Sequence, residues 1–226
     1  MNDLEEYFIE NTGKLIHKWQ HYFEVYDLHF SRFRGREVTV VEFGVFQGGS
    51  LQMWKHYFGP QAKIYGIDID PRCKKLEEDQ IEIFIGDQED RNFLRSLPEK
   101  IGKIDILIED GGHRMTQQIA TFEELYHHVD PCGLYLCEDL LTSYSKEYGG
   151  GYLHPGSFIE YSKKLIDSLH AWHSEDKSQL DVTPFTRSAH SLHFYESILV
   201  IEKRPIEQPF HAMTGGLTIP DFYDPQ

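Results

Sequence analysis

The chain has 226 residues, of which 40% are hydrophobic and 14% aromatic, and it carries 37 acidic against 22 basic residues. This composition indicates one folded domain that buries a sizeable core, and it disfavours intrinsic disorder. The formal net charge of −15 disfavours nucleic acids and anionic membranes as partners, because both would repel an acidic surface.

The cysteine content favours a reducing compartment. Cys73, Cys132 and Cys137 cannot all pair, and none belongs to a Cys-x-x-Cys motif, so they are typical of small apolar side chains. The first residues lack the basic and apolar regions of a signal peptide, and no stretch has the roughly 20 apolar residues that span a bilayer. We therefore expect a cytoplasmic protein that does not enter a membrane.

Apolar patterning predicts a single α/β domain, 1–226, in which a helical preface (1–35) precedes the core (38–202) and a tail rich in Pro and Gly (205–226). Short β-rich runs alternate with amphipathic stretches through the core, as in parallel β-α-β units. Strands are predicted at 38–43, 62–67, 81–85, 104–108, 134–137 and 197–201, with a turn at 130–133 before the fifth. Helices are predicted at 50–58, along Ile119, Phe122 and Leu125, and after the capping signature of Ser157 and Glu160.

A Gly-rich turn, 44–50, joins the first strand to the first helix of the core, so the backbone can approach a ligand closely there. Its spacing differs from the dinucleotide fingerprint, and Glu42 lies just before it, which favours a ligand with an ammonium group. Asp68 ends the second strand, where an acid can accept the hydroxyls of a ribose. Asp87 ends the third strand and is positioned to reach a base.

Two further strands end in acidic segments. Asp110 and His113 follow the fourth strand, and Glu138 and Asp139 follow the fifth. The carboxyl ends of parallel strands lie at one edge of a sheet, which is where such sheets bind ligands. Carboxylate oxygens favour a hard divalent cation, and a nearby histidine favours general-base chemistry.

The order Glu-x-Gly-x-x-x-Gly-Gly, Gly-Ile-Asp, Gly-Asp-Gln along these strand ends resembles class I S-adenosylmethionine-dependent methyltransferases. The segments 108–115, 117–118, 136–140 and 142–144 narrow the likeness to the metal-dependent sugar O-methyltransferases of macrolide and related natural-product pathways. They are also similar to sequences loosely grouped with cephalosporin hydroxylase. The resemblance covers about 38–202 and is densest between 104 and 151.

The resemblance implies a Rossmann-like, seven-stranded, mostly parallel sheet with helices on both faces and an antiparallel last strand. It implies that Asp110, Glu138 and Asp139 bind Mg²⁺ and that His113 is the general base. The implied contacts of S-adenosylmethionine are Glu42, Gly44, Gly48, Ser50, Asp68, Asp87 and Gln88. The implied acceptor is a glycosylated or diol-bearing small molecule, since two vicinal hydroxyls could replace water on the metal. We also expect a homo-oligomer.

Two alternatives stay open. A catechol-type O-methyltransferase also combines metal carboxylates with this cofactor, although it typically has an Asp-Asn pair where this chain has Glu138-Asp139. A cephalosporin hydroxylase-like protein could instead bind the cofactor without methyl transfer.

Overall fold

The computed structural model of the protein describes residues 1–216 and residue 218. Seven strands form one sheet in the order β3-β2-β1-β4-β5-β7-β6. Their bounds are β1 Val38–Phe43, β2 Ala62–Asp68, β3 Ile81–Ile85, β4 Ile104–Glu109, β5 Val129–Cys137, β6 Ala189–Tyr195 and β7 Ile198–Lys203. The first five strands pair in parallel, whereas β7 is antiparallel to both β5 and β6. The predicted seven-stranded, mostly parallel sheet is therefore confirmed.

In the part of the chain that the structure describes, six α-helices cover the two faces of the sheet. Their bounds are α1 Asp3–Glu10, α2 Tyr22–Phe30, α3 Gly49–Phe58, α4 Arg91–Ile101, α5 Met115–Leu125 and α6 Phe158–Leu169. Side chains of α1, α2 and α3 pack on one face of the sheet, and those of α4, α5 and α6 pack on the other. Within the described residues, no helix combines the length and the apolar character that a membrane crossing requires.

The N-terminal preface is helical only in part. Residues 11–21, between α1 and α2, are not helical, and they cross the carboxyl edge of the sheet as an extended segment that we call the strap. Helix α2 follows the strap and presents Tyr22, Phe23, Tyr26 and Phe30 to the core. This face is aromatic at a spacing of three to four residues, which is why the helix packs firmly on the sheet.

Strand β5 begins earlier than the sequence predicts. The predicted turn at 130–133 belongs to the strand, which starts at Val129. Val129 pairs with Ile104 and Leu134 pairs with Ile106, so the residues between them bulge out of the ladder. A bulge carries turn-forming residues without ending the strand, which explains the difference.

Strand β6, at one edge of the sheet, is absent from the sequence prediction because its sequence is polar and half-exposed. The tail at 205–216 forms neither helix nor strand, and the rest of the predicted tail, apart from residue 218, lies outside the described residues.

Candidate active site

A cavity of about 700 Å³ lies at the carboxyl ends of the parallel strands. This volume is within the usual range for small-molecule pockets. The walls come from the strap, the turn after β1, the ends of β2 and β3, and the loops after β4 and β5. The lining residues that matter below are Lys18, Gly44, Phe46, Asp68, Asp87, Gln88, Asp110, His113 and Asp139.

The turn after β1 brings two strand ends into direct contact. Gly44 has a φ of +91°, and a Cβ at this position would lie 2.0 Å from the backbone oxygen of Asp110. Only glycine permits that approach. Gly48, with a φ of +77°, precedes the first residue of α3, so the free amides at the start of α3 lie beside the cavity.

Asp68 fixes the shape of this turn. Its Oδ2 accepts hydrogen bonds from the amides of Val45 at 2.9 Å and Phe46 at 3.1 Å, and its Oδ1 accepts one from the amide of Asp70. The carboxylate lines the cavity at the same time. Asp68 therefore lies where the sequence predicts a cofactor contact, and it also holds the turn in place.

The other predicted cofactor residues divide into two groups. Asp87 is exposed and lines the cavity. Gln88 is buried, and its amide donates to Glu109 and to Thr121 while its Oε1 accepts from the amide of Gly112. Gln88 thus supports the loop after β4 as well as lining the cavity.

Glu42 lies behind the turn rather than on the cavity surface. Its side chain is fully buried, and its Oε2 accepts a hydrogen bond of 2.7 Å from the Ser50 hydroxyl. Its Oε1 lies 3.3 Å from the Nζ atom of Lys18. The ammonium group that faces Glu42 in this structure is therefore supplied by the chain itself.

Three buried or half-buried acids surround Lys18. The Nζ atom of Lys18 donates to Asp110 Oδ2 at 2.5 Å and to both carboxylate oxygens of Glu138 at 2.9 and 3.0 Å. Glu42 completes this group, and donor atoms of Glu42, Asp110 and Glu138 all lie within 4.8 Å of one another.

Asp110 also belongs to a second group, with His113 and Asp139, whose donor atoms lie within 4.8 Å of one another. The Nε2 atom of His113 lies 3.4 Å from Asp139 Oδ2 and 3.9 Å from Asp110 Oδ1. The structure thus places the other three predicted metal and base residues, His113, Glu138 and Asp139, around Asp110. Glu138 and Asp139 approach Asp110 in different groups.

The electrostatics of the first group follow from burial. Burial alone would lower the pKa of Lys18, but the carboxylates of Asp110, Glu138 and Glu42 raise that pKa well above its usual range, so Lys18 stays charged. Burial raises the pKa values of Glu42 and Glu138, and the positive charge of Lys18 opposes that rise. The buried acids therefore depend on a cation beside them.

Hydroxyl groups from α2 orient the two acids that follow β5. The Tyr22 hydroxyl donates to Asp139 Oδ1 at 2.7 Å, and the Tyr26 hydroxyl donates to Glu138 Oε1 at 2.7 Å. Sequence reasoning missed Lys18, Tyr22 and Tyr26 as site residues. Tyr22 and Tyr26 share one face of α2 because they are four positions apart, and that spacing could have paired them with each other. Lys18 lies in the non-helical strap, where the sequence carries no such signal.

A divalent cation fits this arrangement by its donor chemistry. The two groups offer carboxylate oxygens, which are the ligands that Mg²⁺ and similar hard ions prefer. An ammonium group within hydrogen-bond distance of three carboxylates also marks a position that attracts positive charge.

Comparison with known proteins gives several relatives. The chain is 37% identical over 191 residues to 8-demethyl-8-alpha-L-rhamnosyl tetracenomycin-C 2'-O-methyltransferase of Streptomyces olivaceus, which covers 81% of this chain and 50% of that protein. It is 34% identical over 219 residues to mycinamicin VI 2''-O-methyltransferase of Micromonospora griseorubida, covering 85% of this chain and 54% of that protein. The chain spans about half the length of the curated relatives it matches. No family model matches the chain.

The fold comparison agrees with these relatives. The structure of the MycE methyltransferase from the mycinamycin biosynthetic pathway, in complex with Mg, SAH and mycinamycin VI, superposes with a TM-score of 0.78 at 31% identity. The match covers 90% of this chain and 53% of that chain. The protein therefore has the class I S-adenosylmethionine-dependent methyltransferase fold. It belongs to the family of the O-methyltransferases of macrolide and tetracenomycin sugars, about half of whose length it spans.

Proposed function

We propose that the protein is a metal-dependent O-methyltransferase that transfers a methyl group from S-adenosylmethionine to a hydroxyl of a sugar or another diol-bearing small molecule. One observation carries the proposal. The Gly-rich turn and the Asp110–His113–Asp139 group line the same cavity, so a cofactor on the turn and an acceptor at the acids would meet. A cofactor site and a catalytic group in one pocket are what a transfer reaction requires.

The cofactor is assigned to the wall formed by the turn after β1 and by the ends of β2 and β3. We assign the amino-acid part of the cofactor to the turn at Gly44 and to the start of α3 that Gly48 precedes, its ribose to Asp68, and its base to Asp87 and Gln88. Ser50 lines this wall, and its hydroxyl donates to Glu42, which supports the wall from behind.

The metal is assigned to the carboxylates of Asp110, Glu138 and Asp139. A cation held by these acids would supply a Lewis acid that favours an ionised acceptor hydroxyl, and S-adenosylmethionine on the opposite wall would supply an electrophilic methyl group. The acids hold the cation, and Tyr22 and Tyr26 keep two of them oriented.

His113 is assigned as the general base that accepts the proton of the acceptor hydroxyl. Its side chain lines the cavity beside Asp110 and Asp139, and histidine is the side chain that most often acts as a general base. By taking that proton, His113 would leave the acceptor oxygen as a nucleophile towards the methyl group that the cofactor would supply. The adjacent acids would stabilise the imidazolium that results.

We assign the acceptor to the surface formed by the segment that follows Asp139. Thr142 donates to the backbone oxygen of His113, so the segment after Asp139 lies against the base. Tyr144 ends this segment and is 56% exposed. A sugar on an apolar scaffold matches such a surface, and the name of one relative specifies a rhamnosyl tetracenomycin.

The test is transfer of labelled methyl groups from S-adenosylmethionine to a panel of glycosylated metabolites with free vicinal hydroxyls, with Mg²⁺ or with EDTA. We expect Mg²⁺-dependent labelling, a loss of at least about 100-fold in Asp110→Asn, and wild-type rates in the matched control Asp176→Asn in an exposed loop. Cofactor binding without transfer to any acceptor would instead favour a binding protein. Transfer to catechols alone would favour a catechol-type enzyme.

The expectation of a homo-oligomer remains a prediction. Light scattering coupled to size-exclusion chromatography checks it, and a mass near the 26.5 kDa of one chain would contradict it.

A further inference from the structure

The strap is fixed to the body of the protein at points on either side of the cavity. The Nζ atom of Lys14 donates to the backbone oxygen of Leu76 at 3.0 Å and to Glu78 Oε2 at 3.1 Å. A Cβ on Gly49 would lie 2.3 Å from the backbone oxygen of Leu15, so the strap lies directly against the start of α3. Ile16 is buried in the core. The backbone of the strap is therefore well placed to aim the next long side chain.

That side chain is Lys18, and it is the internal cation of the first carboxylate group. Its side chain is 3% exposed, and ion pairs join it to Glu42, Asp110 and Glu138. In the described part of the chain, no other lysine or arginine forms an ion pair with these acids. One positive charge thus faces three carboxylates.

Lys18 uses the same oxygen atoms that a metal needs. Both oxygens of Glu138 and the Oδ2 atom of Asp110 accept hydrogen bonds from its ammonium group. Magnesium binds carboxylate oxygens at about 2.1 Å, so a dication on these atoms would lie within a few ångströms of the ammonium group. Two positive charges at such a short distance repel each other strongly in a buried site, where bulk water does not screen them.

We propose that Lys18 is a tethered counter-cation that occupies the metal position in the metal-free protein and withdraws when a divalent cation binds. The inference rests on the proposed function, because it assumes that Asp110 and Glu138 are ligands of a divalent cation. Lys18 keeps the buried acids neutralised until the metal arrives. Its flexible four-carbon stem lets the ammonium group leave towards the adjoining cavity while Ile16 stays in the core.

Competition of this kind has a definite sign. A residue that must leave lowers the apparent affinity for the metal, because binding includes the cost of breaking its ion pairs. A permanent helper of the metal site would raise that affinity. Removing the charge of Lys18 therefore separates the two roles.

The first experiment measures Mn²⁺ binding by electron paramagnetic resonance in the wild type, Lys18→Met and the control Lys55→Met. Lys55 also pairs with a carboxylate, Glu78 Oε1 at 3.1 Å, but on the flank of α3. We expect Lys18→Met to bind Mn²⁺ at least tenfold more tightly than the wild type, and Lys55→Met to match the wild type. Equal or weaker binding by Lys18→Met overturns the inference and leaves the proposed function standing. Absence of binding in both proteins overturns the metal assignment as well.

The second experiment uses the wild type alone, so that it does not depend on the folding of a variant. Lysines are reductively methylated with labelled formaldehyde, with and without Mn²⁺, and the modified peptides are quantified by mass spectrometry. We expect Lys18 to be protected without metal and modified several-fold faster with Mn²⁺, whereas Lys55 reacts equally in both. Protection of Lys18 under both conditions at saturating Mn²⁺ contradicts its withdrawal.

Discussion

His113 and Asp139 share an uncommon backbone conformation, with φ values of +55° and +52°. Left-handed φ values cost a non-glycine residue about 1–2 kcal/mol and persist only where the surrounding structure enforces them. Here the Thr142 hydroxyl donates to the backbone oxygens of both residues. The left-handed conformation of these two residues turns the loops after β4 and β5 so that the His113 imidazole and the Asp139 carboxylate face each other.

Replacing the proposed base is the sharpest change at this scale. We expect His113→Ala to lower kcat by at least about 100-fold, because general-base catalysis contributes about 10²–10⁴-fold, and to leave cofactor affinity unchanged. His128 is exposed and lies before β5, at the opposite edge of the sheet, so His128→Ala is the matched control. Steady-state kinetics with saturating Mg²⁺ decides the matter, and a His113→Ala rate within twofold of the wild type would remove His113 from the mechanism.

The Tyr22 hydroxyl gives a second prediction. Burial and the neighbouring Asp139 raise the pKa of Tyr22 far above its usual value, so the phenol remains a donor to that carboxylate. Loss of a partner that orients a metal ligand typically costs 10–100-fold in metal affinity. We therefore expect Tyr22→Phe to bind Mn²⁺ about tenfold more weakly in a calorimetric titration.

Tyr57 provides the matched control for that change. Its hydroxyl donates to Asp27 Oδ1 at 2.7 Å, the same kind of bond at the same length, but between α3 and α2. Tyr57→Phe should leave Mn²⁺ affinity unchanged. If both variants lose affinity equally, Tyr22 has no specific role at the metal site.

At the scale of elements, the contact between the ends of β1 and β4 sets the geometry of the cavity. Gly44 makes this contact because its missing side chain leaves room for the backbone of Asp110. The same contact positions a predicted cofactor residue and a predicted metal ligand together. A change in this turn should therefore disturb stability and metal binding at once.

Gly44→Ala tests this contact against Gly35→Ala. Both glycines have positive φ, +91° and +65°, but a Cβ at Gly35 meets no atom within 4 Å. Gly35→Ala should cost only the conformational strain of about 1–2 kcal/mol, whereas Gly44→Ala should cost clearly more and weaken Mn²⁺ binding. Urea unfolding and the Mn²⁺ titration measure both effects. Equal unfolding free energies with intact metal binding would show that the close approach is relaxed elsewhere.

Most elements of the core follow from the sequence because their signals are local. The β-rich runs, the Gly-rich turn and the acids at the strand ends each lie within a few residues. The sequence does not predict strand β6, because the strand is half-exposed and lacks a clear pattern of apolar residues. The sequence also does not predict the contacts of Lys18, Tyr22 and Tyr26 with the acids that follow β4 and β5. These contacts join residues 92 to 120 positions apart, and no local pattern encodes such a pairing.

For the whole molecule, the N-terminal preface is tied to the far edge of the sheet as well as to the cavity. Glu202 of β7 accepts a hydrogen bond from His29 Nδ1 at 2.7 Å and pairs with Arg32 at 2.5 Å. Burial opposes ionisation of Glu202, but its bonds to His29 and Arg32 outweigh burial and lower its pKa to about 2. The cluster thus joins α2 and its C-terminal turn to the final strand.

This cluster makes stability depend on pH with a definite sign. A carboxyl whose pKa is lower in the folded state than the ordinary 4.5 stabilises the fold above pH 4.5, and the contribution is lost as the pH falls towards 2. Glu202→Gln should therefore cost about 1–2 kcal/mol at pH 7, after allowance for solvent screening, and much less near pH 2.5.

Urea unfolding at pH 7, 5 and 2.5 measures this difference. Glu196→Gln is the control, because Glu196 pairs with His21 on the surface, where it is 71% exposed, and such pairs contribute little. A Glu202→Gln deficit that stays constant over this pH range would mean that the carboxylate charge is not the source of the stabilisation.

We assign a divalent cation to Asp110, Glu138 and Asp139, beside His113. Anomalous diffraction from crystals grown with Mn²⁺ and S-adenosylhomocysteine tests this metal site most directly. We predict one anomalous peak in direct contact, about 2.1 Å, with a carboxylate oxygen of each of the three acids. No peak at saturating Mn²⁺, or a peak that excludes Asp139, would contradict the account.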